Sequence, residues 1–252
     1  MLNKQFVKNL HRFRLVTFDV TDTLLRLKTA PAIQYAKTAA SLGLNNIDQQ
    51  LLSRCFRQEF KVMVGKHPNF GCITKNMNWE QWWLQLVKNI FHCVDSTIST
   101  TKLNMVATRL LEEYRTQKCW TKIDGAEELV GEIKHIGKRV GVISNFDPSL
   151  RQILNAMEMH DFDFVLTSYD CLVEKPNRRI FQIPLEQYGF AANEALHIGN
   201  LYDIDYIGAR RSGWSSLLIS KDVPKVSELH PTHVYENLRD LINCLQTSEI
   251  KW

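Results

Sequence analysis

Short apolar segments alternate with helical segments along most of the chain, and this alternation is the strongest constraint on how the chain folds. Five segments have the length and composition of buried strands, and they cover 15–18, 139–144, 164–167, 195–199 and 214–219. Segments with helical periodicity lie before, between and after the later strands. They cover 126–136, 150–157, 178–188, 204–212 and 236–245. Strands and helices that alternate in this way form a parallel sheet covered on both faces. The sequence therefore predicts an α/β fold with a doubly wound, Rossmann-like core.

The segment that follows the first strand has a different pattern. Over roughly a hundred residues, apolar positions recur at the three- and four-residue steps of a helix, at 32–42, 47–64, 79–91 and 103–114. We therefore expect a helical bundle inserted into the core. The predicted boundaries assign 1–26 and 119–252 to the core and 27–118 to the insert, and a chain of 252 residues is long enough for both.

Polar residues stand directly at the ends of three predicted strands. Asp19 follows the first strand, Ser144 ends the second, and Gly199 and Asn200 lie at the end of a later one. Because the carboxyl ends of parallel strands meet in one crevice, where open α/β sheets bind ligands, we expect these residues to converge. A carboxylate there can act as a covalent nucleophile, and a hydroxyl before a helix start can bind a phosphate oxygen. The simpler role for either group is to cap a turn or a helix.

Two further segments carry residues suited to anions or metal ions. Lys175 precedes Pro176, a residue type favoured at the first helical position, so its ammonium group can neutralise negative charge in the crevice. Further along, Asn200, Asp203 and Asp205 place three oxygen-bearing side chains within six residues, directly after a predicted strand. Each fragment alone has an ordinary structural explanation, but their shared position after strands favours a site.

Together these segments resemble the four motifs of the haloacid dehalogenase superfamily, in the order and spacing of that family. They cover 15–24, 142–147, 174–181 and 197–206. The resemblance implies that Asp19 is the nucleophile and that Lys175 assists it in catalysis. It implies a phosphate-binding role for Ser144, Asn145 and Lys175. The helical insert resembles the C1 type of cap, which closes over the active site in that family.

The same resemblance implies a magnesium ion and a small-molecule substrate that is phosphorylated. The metal ligands that it implies are Asp19, Thr21 through its backbone carbonyl, Asn200 and Asp205. A divalent ion bound by these oxygen atoms would share with Lys175 the task of neutralising a phosphoryl group.

Two residues depart from the family's pattern. Thr21 stands where phosphatases of the family carry a second aspartate, which serves as general acid and base. A threonine hydroxyl cannot shuttle a proton near neutral pH, and such catalysis is typically worth ~10²–10⁴-fold. Asn200 stands where the family has an aspartate, so the metal site loses one formal charge. Asp22 and Asp203 are the nearby carboxylates that could compensate.

Three functions stay open on this basis. The first is a slow or specialised phosphatase that uses Asp19 and magnesium on a small phosphorylated metabolite. The second is a metal-independent hydrolase in which Asp19 attacks carbon and displaces halide, since dehalogenases of the superfamily also lack the second aspartate. The third is a catalytically impaired descendant that binds a phosphorylated ligand or a protein. Release of phosphate, release of halide, or stabilisation by a ligand without turnover distinguishes them.

Composition argues against several other classes of function. The net charge is +4 without a long basic run, so nucleic-acid binding is not indicated. No apolar segment approaches the roughly 20 residues needed to span a bilayer. The six cysteines are far apart and include no Cys-x-x-Cys pair, so we expect reduced thiols and a cytoplasmic protein. The basic N-terminal segment leaves a mitochondrial location open, and the oligomeric state is not indicated.

Overall fold

The computed structural model describes residues 3–222 and 229–252. The chain forms two compact units. The first comprises Met1–Arg26, Lys122–Asn145 and Met159–Trp252, and the second comprises Leu27–Thr121 and Phe146–Glu158. The chain therefore leaves the first unit twice, once shortly after the first strand and once directly after Asn145.

The first unit is built on a six-stranded parallel sheet. In the described part of the chain the strands are β1 Leu15–Phe18, β2 Leu25–Leu27, β3 Trp120–Lys122, β4 Arg139–Ser144, β5 Phe164–Thr167, β6 Ala195–Gly199, β7 Ser215–Ile219 and β8 Val234–Tyr235. The sheet order is β5-β4-β1-β6-β7-β8, whereas β2 and β3 pair separately. Every pair in the larger sheet is parallel. The predicted Rossmann-like α/β fold is confirmed.

Helices occupy most of the chain between these strands. They are α1 Lys4–Leu10, α2 Pro31–Ser41, α3 Gln49–Lys66, α4 Trp79–Val94, α5 Thr100–Glu113, α6 Ala126–His135, α7 Leu150–Ala156, α8 Ser168–Cys171, α9 Arg178–Tyr188, α10 Ile207–Arg211 and α11 Leu238–Thr247. Short 3₁₀ turns lie at Asn69–Gly71, Ala192–Glu194 and Pro231–His233. Among the described residues, no helix is both long and apolar enough to cross a bilayer.

β1 lies in the middle of the sheet, between β4 and β6. Its four residues are all buried, as expected when helices cover both faces of a parallel sheet. In register, Phe18 lies beside Val142 of β4 and beside Ile198 of β6. The three strands therefore end side by side, and the residues that follow them meet at one edge of the first unit.

The N-terminal helix α1 was not predicted, because its basic sequence looks like a simple lead-in to β1. The side chain of Asn3 caps it by accepting from the N–H groups of Gln5 and Phe6. The buried side chain of Asn9 donates to the carbonyls of Leu245 and Ser248, at 2.9 and 2.7 Å. These bonds attach α1 to the end of α11, a contact between chain ends that periodicity cannot show.

A π-helical turn over Tyr202–Tyr206 leads into α10, where the sequence predicts one regular helix over 204–212. The N–H groups of Asp205 and Tyr206 both donate to the carbonyl of Leu201, at 2.8 and 3.3 Å. Such wide turns are frequent at functional sites. This turn begins at Tyr202, directly after the short loop 200–201 that follows β6.

The second unit is a helical bundle with an aromatic core. Its helices α2 to α5 correspond to the four predicted helices of the insert. Trp82 is fully buried and contacts the rings of Phe60 and Phe70, with centroids 5.7 and 5.5 Å apart. The indole N–H of Trp83 donates to Asp147 at 2.7 Å. This bond attaches the segment before α7 to the bundle.

A disulfide joins Cys55 of α3 to Cys93 of α4. The expectation of reduced thiols is therefore wrong for this pair. The two Cα atoms lie 6.0 Å apart, which is the usual spacing for a bridge. The sequence could not show the pairing, because it depends on which sides of two helices pack together.

Candidate active site

Asp19 lies one residue beyond β1, at the edge where the central strands end. Its N–H donates to the carbonyl of Ile198 at 2.9 Å, which extends the pairing with β6 by one residue. The chain then turns sharply, since the carbonyl of Val20 accepts from Leu24 and Leu25, both at 2.9 Å. The Asp19 side chain is almost fully buried. The backbone that carries the carboxylate is thus held by hydrogen bonds at Asp19 and in the turn that follows.

Lys175 is brought to the same place by the loop after α8. The backbone N–H of Lys175 donates to Asn145 Oδ1 at 2.7 Å, and Asn145 Nδ2 donates to the carbonyl of Lys175 at 2.9 Å. This reciprocal pair joins the loop after β4 to the loop that carries the lysine. The family resemblance implies phosphate binding for Asn145, and in the structure its side chain holds the backbone of Lys175.

The ammonium group of Lys175 is buried and makes three hydrogen bonds. It donates to Asp19 Oδ1 at 2.8 Å, to Asp205 Oδ1 at 2.6 Å and to the carbonyl of Ile143 at 2.8 Å. All three acceptors lie at or just beyond strand ends or in the π-helical turn. All three N–H donors of the ammonium group therefore have an acceptor, and the orientation of the group is fixed. Lys175 is therefore in direct contact with both Asp19 and Asp205.

Asp205 uses both of its carboxylate oxygens. Oδ2 accepts from the N–H groups of Asn200 and Leu201 at 3.1 and 2.9 Å, and Oδ1 accepts from Lys175 and lies 3.2 Å from His197 Nε2. A Cβ on Gly199 would lie 2.4 Å from the carboxyl carbon of Asp205, so only glycine fits there. Asp205 is predicted as a metal ligand, and in the structure its two oxygens have four protein partners.

His197 was not predicted as part of the site. It is a lone ionisable residue inside the buried strand β6. An ionisable residue within an apolar strand is the sequence signal that could have identified His197, because a buried polar group needs a hydrogen-bond partner.

The charges in this cluster shift one another's pKa values. Burial raises the pKa of Asp19, more than the attraction of Lys175 lowers it, and the charge on Asp205 adds to the increase. Burial acts on Asp205 in the same direction, but Lys175 and the bond from His197 outweigh it and hold the pKa of Asp205 below its usual range. The two carboxylates raise the pKa of Lys175 despite its burial. Lys175 and Asp205 are therefore charged at neutral pH.

The other predicted residues lie on the neighbouring loops. Ser144 ends β4 and is buried, one residue beyond the carbonyl that accepts from Lys175. The hydroxyl of Thr23 approaches Asn200 Oδ1 at 3.5 Å, which connects the loops after β1 and β6. Asp22 and Asp203, the two carboxylates that could compensate for missing acids, are both exposed.

A magnesium ion would need oxygen ligands from this group. The carboxylate of Asp19, the carbonyl of Thr21 and the side-chain oxygen of Asn200 are of the right type. Both carboxylate oxygens of Asp205 already accept hydrogen bonds from protein groups. Within residues 3–222 and 229–252, no group of three or more His, Cys, Asp or Glu side chains could hold a metal ion. The residues therefore fit magnesium in donor type, with a single carboxylate charge, and we expect weak binding.

A parallel α/β core with a buried Asp–Lys–Asp cluster at the ends of its central strands is typical of haloacid dehalogenase-type hydrolases. Residues 13–213 match the family model described as haloacid dehalogenase-like hydrolase. The chain belongs to this family.

Curated relatives resemble the chain along nearly its whole length. It is 34% identical to the rhythmically expressed gene 2 protein of Drosophila melanogaster, over 98% of this chain and 100% of that protein. It is 35% identical to the human (Homo sapiens) haloacid dehalogenase-like hydrolase domain-containing protein 3, over 82% of each chain.

Solved structures share the fold at lower identity. The 2-haloacid dehalogenase from Pseudomonas syringae pv. Tomato DC3000 superposes with a TM-score of 0.63 at 22% identity, over 92% of this chain and 98% of that chain. The HAD-hydrolase YfnB from Bacillus subtilis, bound to magnesium, superposes with a TM-score of 0.64 at 19% identity, over 93% and 99%. At this level of identity the likeness concerns the fold alone.

Proposed function

We propose that the protein is a hydrolase of small phosphorylated molecules that uses Asp19 as a covalent nucleophile. An oxygen of Asp19 bonds to phosphorus while the bond to the leaving group breaks, and the leaving group departs with the electron pair. Water then attacks the phosphoaspartate, breaks its P–O bond and gives its proton to the solvent. Family membership and the geometry of the cluster both support this sequence of steps.

The observation that carries the proposal is the buried contact of Lys175 with Asp19. The ammonium group fixes Oδ1 of Asp19 at 2.8 Å, which leaves the other oxygen to attack. Its positive charge, in a site largely out of water, would stabilise negative charge on the transferring phosphoryl group. The bond to Asp205 at 2.6 Å keeps the ammonium group in place during the reaction. Ser144, at the end of β4, is the hydroxyl that we propose to bind a phosphate oxygen.

Thr21 sets the kind of substrate that this site would turn over. Because a threonine cannot protonate a leaving oxygen near neutral pH, we expect substrates whose leaving group departs as a stable anion, such as aryl or acyl phosphates. The same residue cannot activate water. The phosphoaspartate at Asp19 should therefore form faster than it is hydrolysed.

Magnesium is the proposed cofactor, with Asp19, Thr21 and Asn200 as ligands. When bound, it would supply positive charge that offsets the charge of the phosphoryl group. The helical insert, 27–118, is the proposed cap: by analogy with the family it would exclude water and supply the substrate contacts.

Stopped-flow measurement of p-nitrophenyl phosphate tests the proposal. With magnesium present, we expect a burst of p-nitrophenolate close to one equivalent per chain, then slow turnover, and a mass increase on a peptide containing Asp19. Asp19→Asn is the matched control, since it keeps the size of the side chain and removes the nucleophile. A burst that persists in Asp19→Asn would rule out the assigned nucleophile.

A second candidate is a metal-independent hydrolase in which Asp19 attacks carbon and displaces halide. The observation that favours it is the combination of Thr21 with a lysine that already neutralises Asp19, because a halide needs no proton to leave. Release of chloride from 2-chloropropionate in the presence of a chelator, abolished in Asp19→Asn, would support it. Stabilisation by inorganic phosphate with neither activity would support a binding protein.

A further inference from the structure

His197 is a fully buried histidine that the proposed reaction does not use. It lies on β6, between β1 and β7, and is 0% exposed. Both ring nitrogens have polar partners, since Nε2 lies 3.2 Å from Asp205 Oδ1 and Nδ1 lies 2.9 Å from the hydroxyl of Thr17. The ring of Phe181 packs edge-on against it, with centroids 5.5 Å apart. The imidazole therefore has one defined orientation.

The partners of the imidazole also define where its proton lies. Asp205 is ionised and can only accept, so Nε2 carries the proton and donates it. Nδ1 is then an acceptor for the hydroxyl of Thr17. Burial lowers the pKa of His197 more than the bond to Asp205 raises it, and the charge of Lys175 lowers it further. The ring is thus neutral, in a single tautomer.

This bond completes the fixation of Asp205. The backbone N–H groups of Asn200 and Leu201 hold Oδ2. Without His197, the remaining partner of Oδ1 would be Lys175, which stands at the end of a flexible four-carbon stem. The histidine is therefore the rigid partner that keeps Oδ1 in position.

We propose that His197 is a positioning residue, whose Nε2–H holds Asp205 so that Lys175 points at Asp19. The proposal rests on the proposed function of Asp19 as nucleophile. A hydrogen-bonded chain runs from Thr17 through His197, Asp205 and Lys175 to Asp19, and each member after the first orients the next. A small displacement of the lysine would then slow the attack, because a shift of about 1 Å at a reacting group can cost roughly 10²-fold.

The first experiment needs no substrate. In protein labelled with ¹⁵N-lysine, the buried ammonium group of Lys175 should give a slowly exchanging NMR signal, identified by its absence in Lys175→Met. We expect that signal to shift and to exchange faster in His197→Leu. It should stay near its wild-type position in His197→Gln, whose side-chain amide can still donate to Asp205.

The second experiment uses p-nitrophenyl phosphate. We expect His197→Leu to lower the burst rate by on the order of tenfold or more, with little change in KM. His197→Gln should restore the rate. Ser216→Ala is the matched control, because Ser216 is a buried hydroxyl that donates only to the carbonyl of His197. If His197→Leu does not fold, Thr17→Val removes the hydroxyl that bonds Nδ1 of His197 and should give the same changes more weakly.

An unchanged Lys175 signal in His197→Leu, or in Thr17→Val if that is the variant that folds, would overturn the proposal. So would equal loss of rate in His197→Leu and His197→Gln, since a merely structural role predicts that result. If the wild-type protein gives no burst, the proposed function fails, and the NMR signal alone decides the role of His197.

Discussion

Thr21 is the residue with the largest expected effect on turnover. It lies two positions beyond Asp19, in the turn that the carbonyl of Val20 closes. Its side chain cannot take or give a proton near neutral pH, so neither half of the proposed reaction has a general acid or base. The site is otherwise complete in its charged cluster. One carboxylate at this position should therefore be enough to speed the reaction.

Thr21→Asp should raise steady-state turnover of p-nitrophenyl phosphate by about 10²-fold, within the range of general acid–base catalysis. The burst should shrink, because the phosphoaspartate no longer accumulates. Asp22→Asn is the control: Asp22 is exposed at φ 58°, a conformation that asparagine also tolerates. If Asp22→Asn abolishes the burst, Asp22 rather than Thr21 occupies the functional position.

The pKa of Asp19 predicts how the burst depends on pH. In the proposed reaction the attacking group is the Asp19 carboxylate, and burial raises the pKa of that group above the usual value near 3.9. The burst rate should therefore fall as the pH drops, with a midpoint above that value. Rapid mixing between pH 4 and 8 measures it. A midpoint at or below the ordinary aspartate value would contradict the raised pKa.

Asn200 limits the charge of the proposed magnesium site. Asn200→Asp should tighten magnesium binding by on the order of tenfold, because affinity for hard cations depends on the number of charged ligands. Calorimetric titration of the substrate-free protein measures this directly. Asp203→Asn should leave the affinity unchanged, since Asp203 is exposed; a large loss in that variant would show that Asp203 is a ligand.

At the scale of elements, the disulfide between α3 and α4 is the feature with the most direct effect on stability. It closes a segment with a sequence separation of 38 residues. Loss of such a bridge typically costs about 2–4 kcal/mol. The two helices share an aromatic and aliphatic core, so we expect the bundle to remain folded without the bond.

Replacing Cys55 and Cys93 together by serine should lower the free energy of unfolding by about 2–4 kcal/mol. Urea denaturation with and without a reducing agent measures the difference. The reducing agent should destabilise the wild-type protein and have no further effect on the double variant. Equal stability of both proteins under oxidising conditions would show that the bond does not contribute.

Elements with strong local signals could be predicted from the sequence, and those set by distant contacts could not. The strands around Asp19 and Ser144 are short apolar runs with polar ends, so their pattern is self-contained. The helix α1 depends on Asn9 reaching the far end of the chain, and the π-helical turn depends on where the side chain of Asp205 is held. The disulfide depends on the packing of two helices. None of these three features produces a periodic pattern of apolar residues in the sequence.

At the scale of the whole molecule, the candidate site follows the same division. Asp19, Lys175 and Asp205 could be named because each stands in a motif beside a strand or helix end. The task of Asn145 in holding the backbone of Lys175 could not be foreseen, nor could the bond between His197 and Asp205. These contacts join residues that are distant in sequence, and one amino-acid sequence does not show which distant residues lie close together.

The contact between Asp19 and Lys175 joins positions 156 residues apart in the chain. β1 lies between β4 and β6, so we expect the contact to form only once both of these strands have paired with β1. Loops this long close slowly during folding. Proteins with many such long-range contacts therefore fold slowly and are prone to kinetic traps. Recovery of the burst during refolding from urea should therefore lag behind recovery of the helical circular dichroism signal. Asp19 would act as a nucleophile only in chains whose parallel sheet is complete.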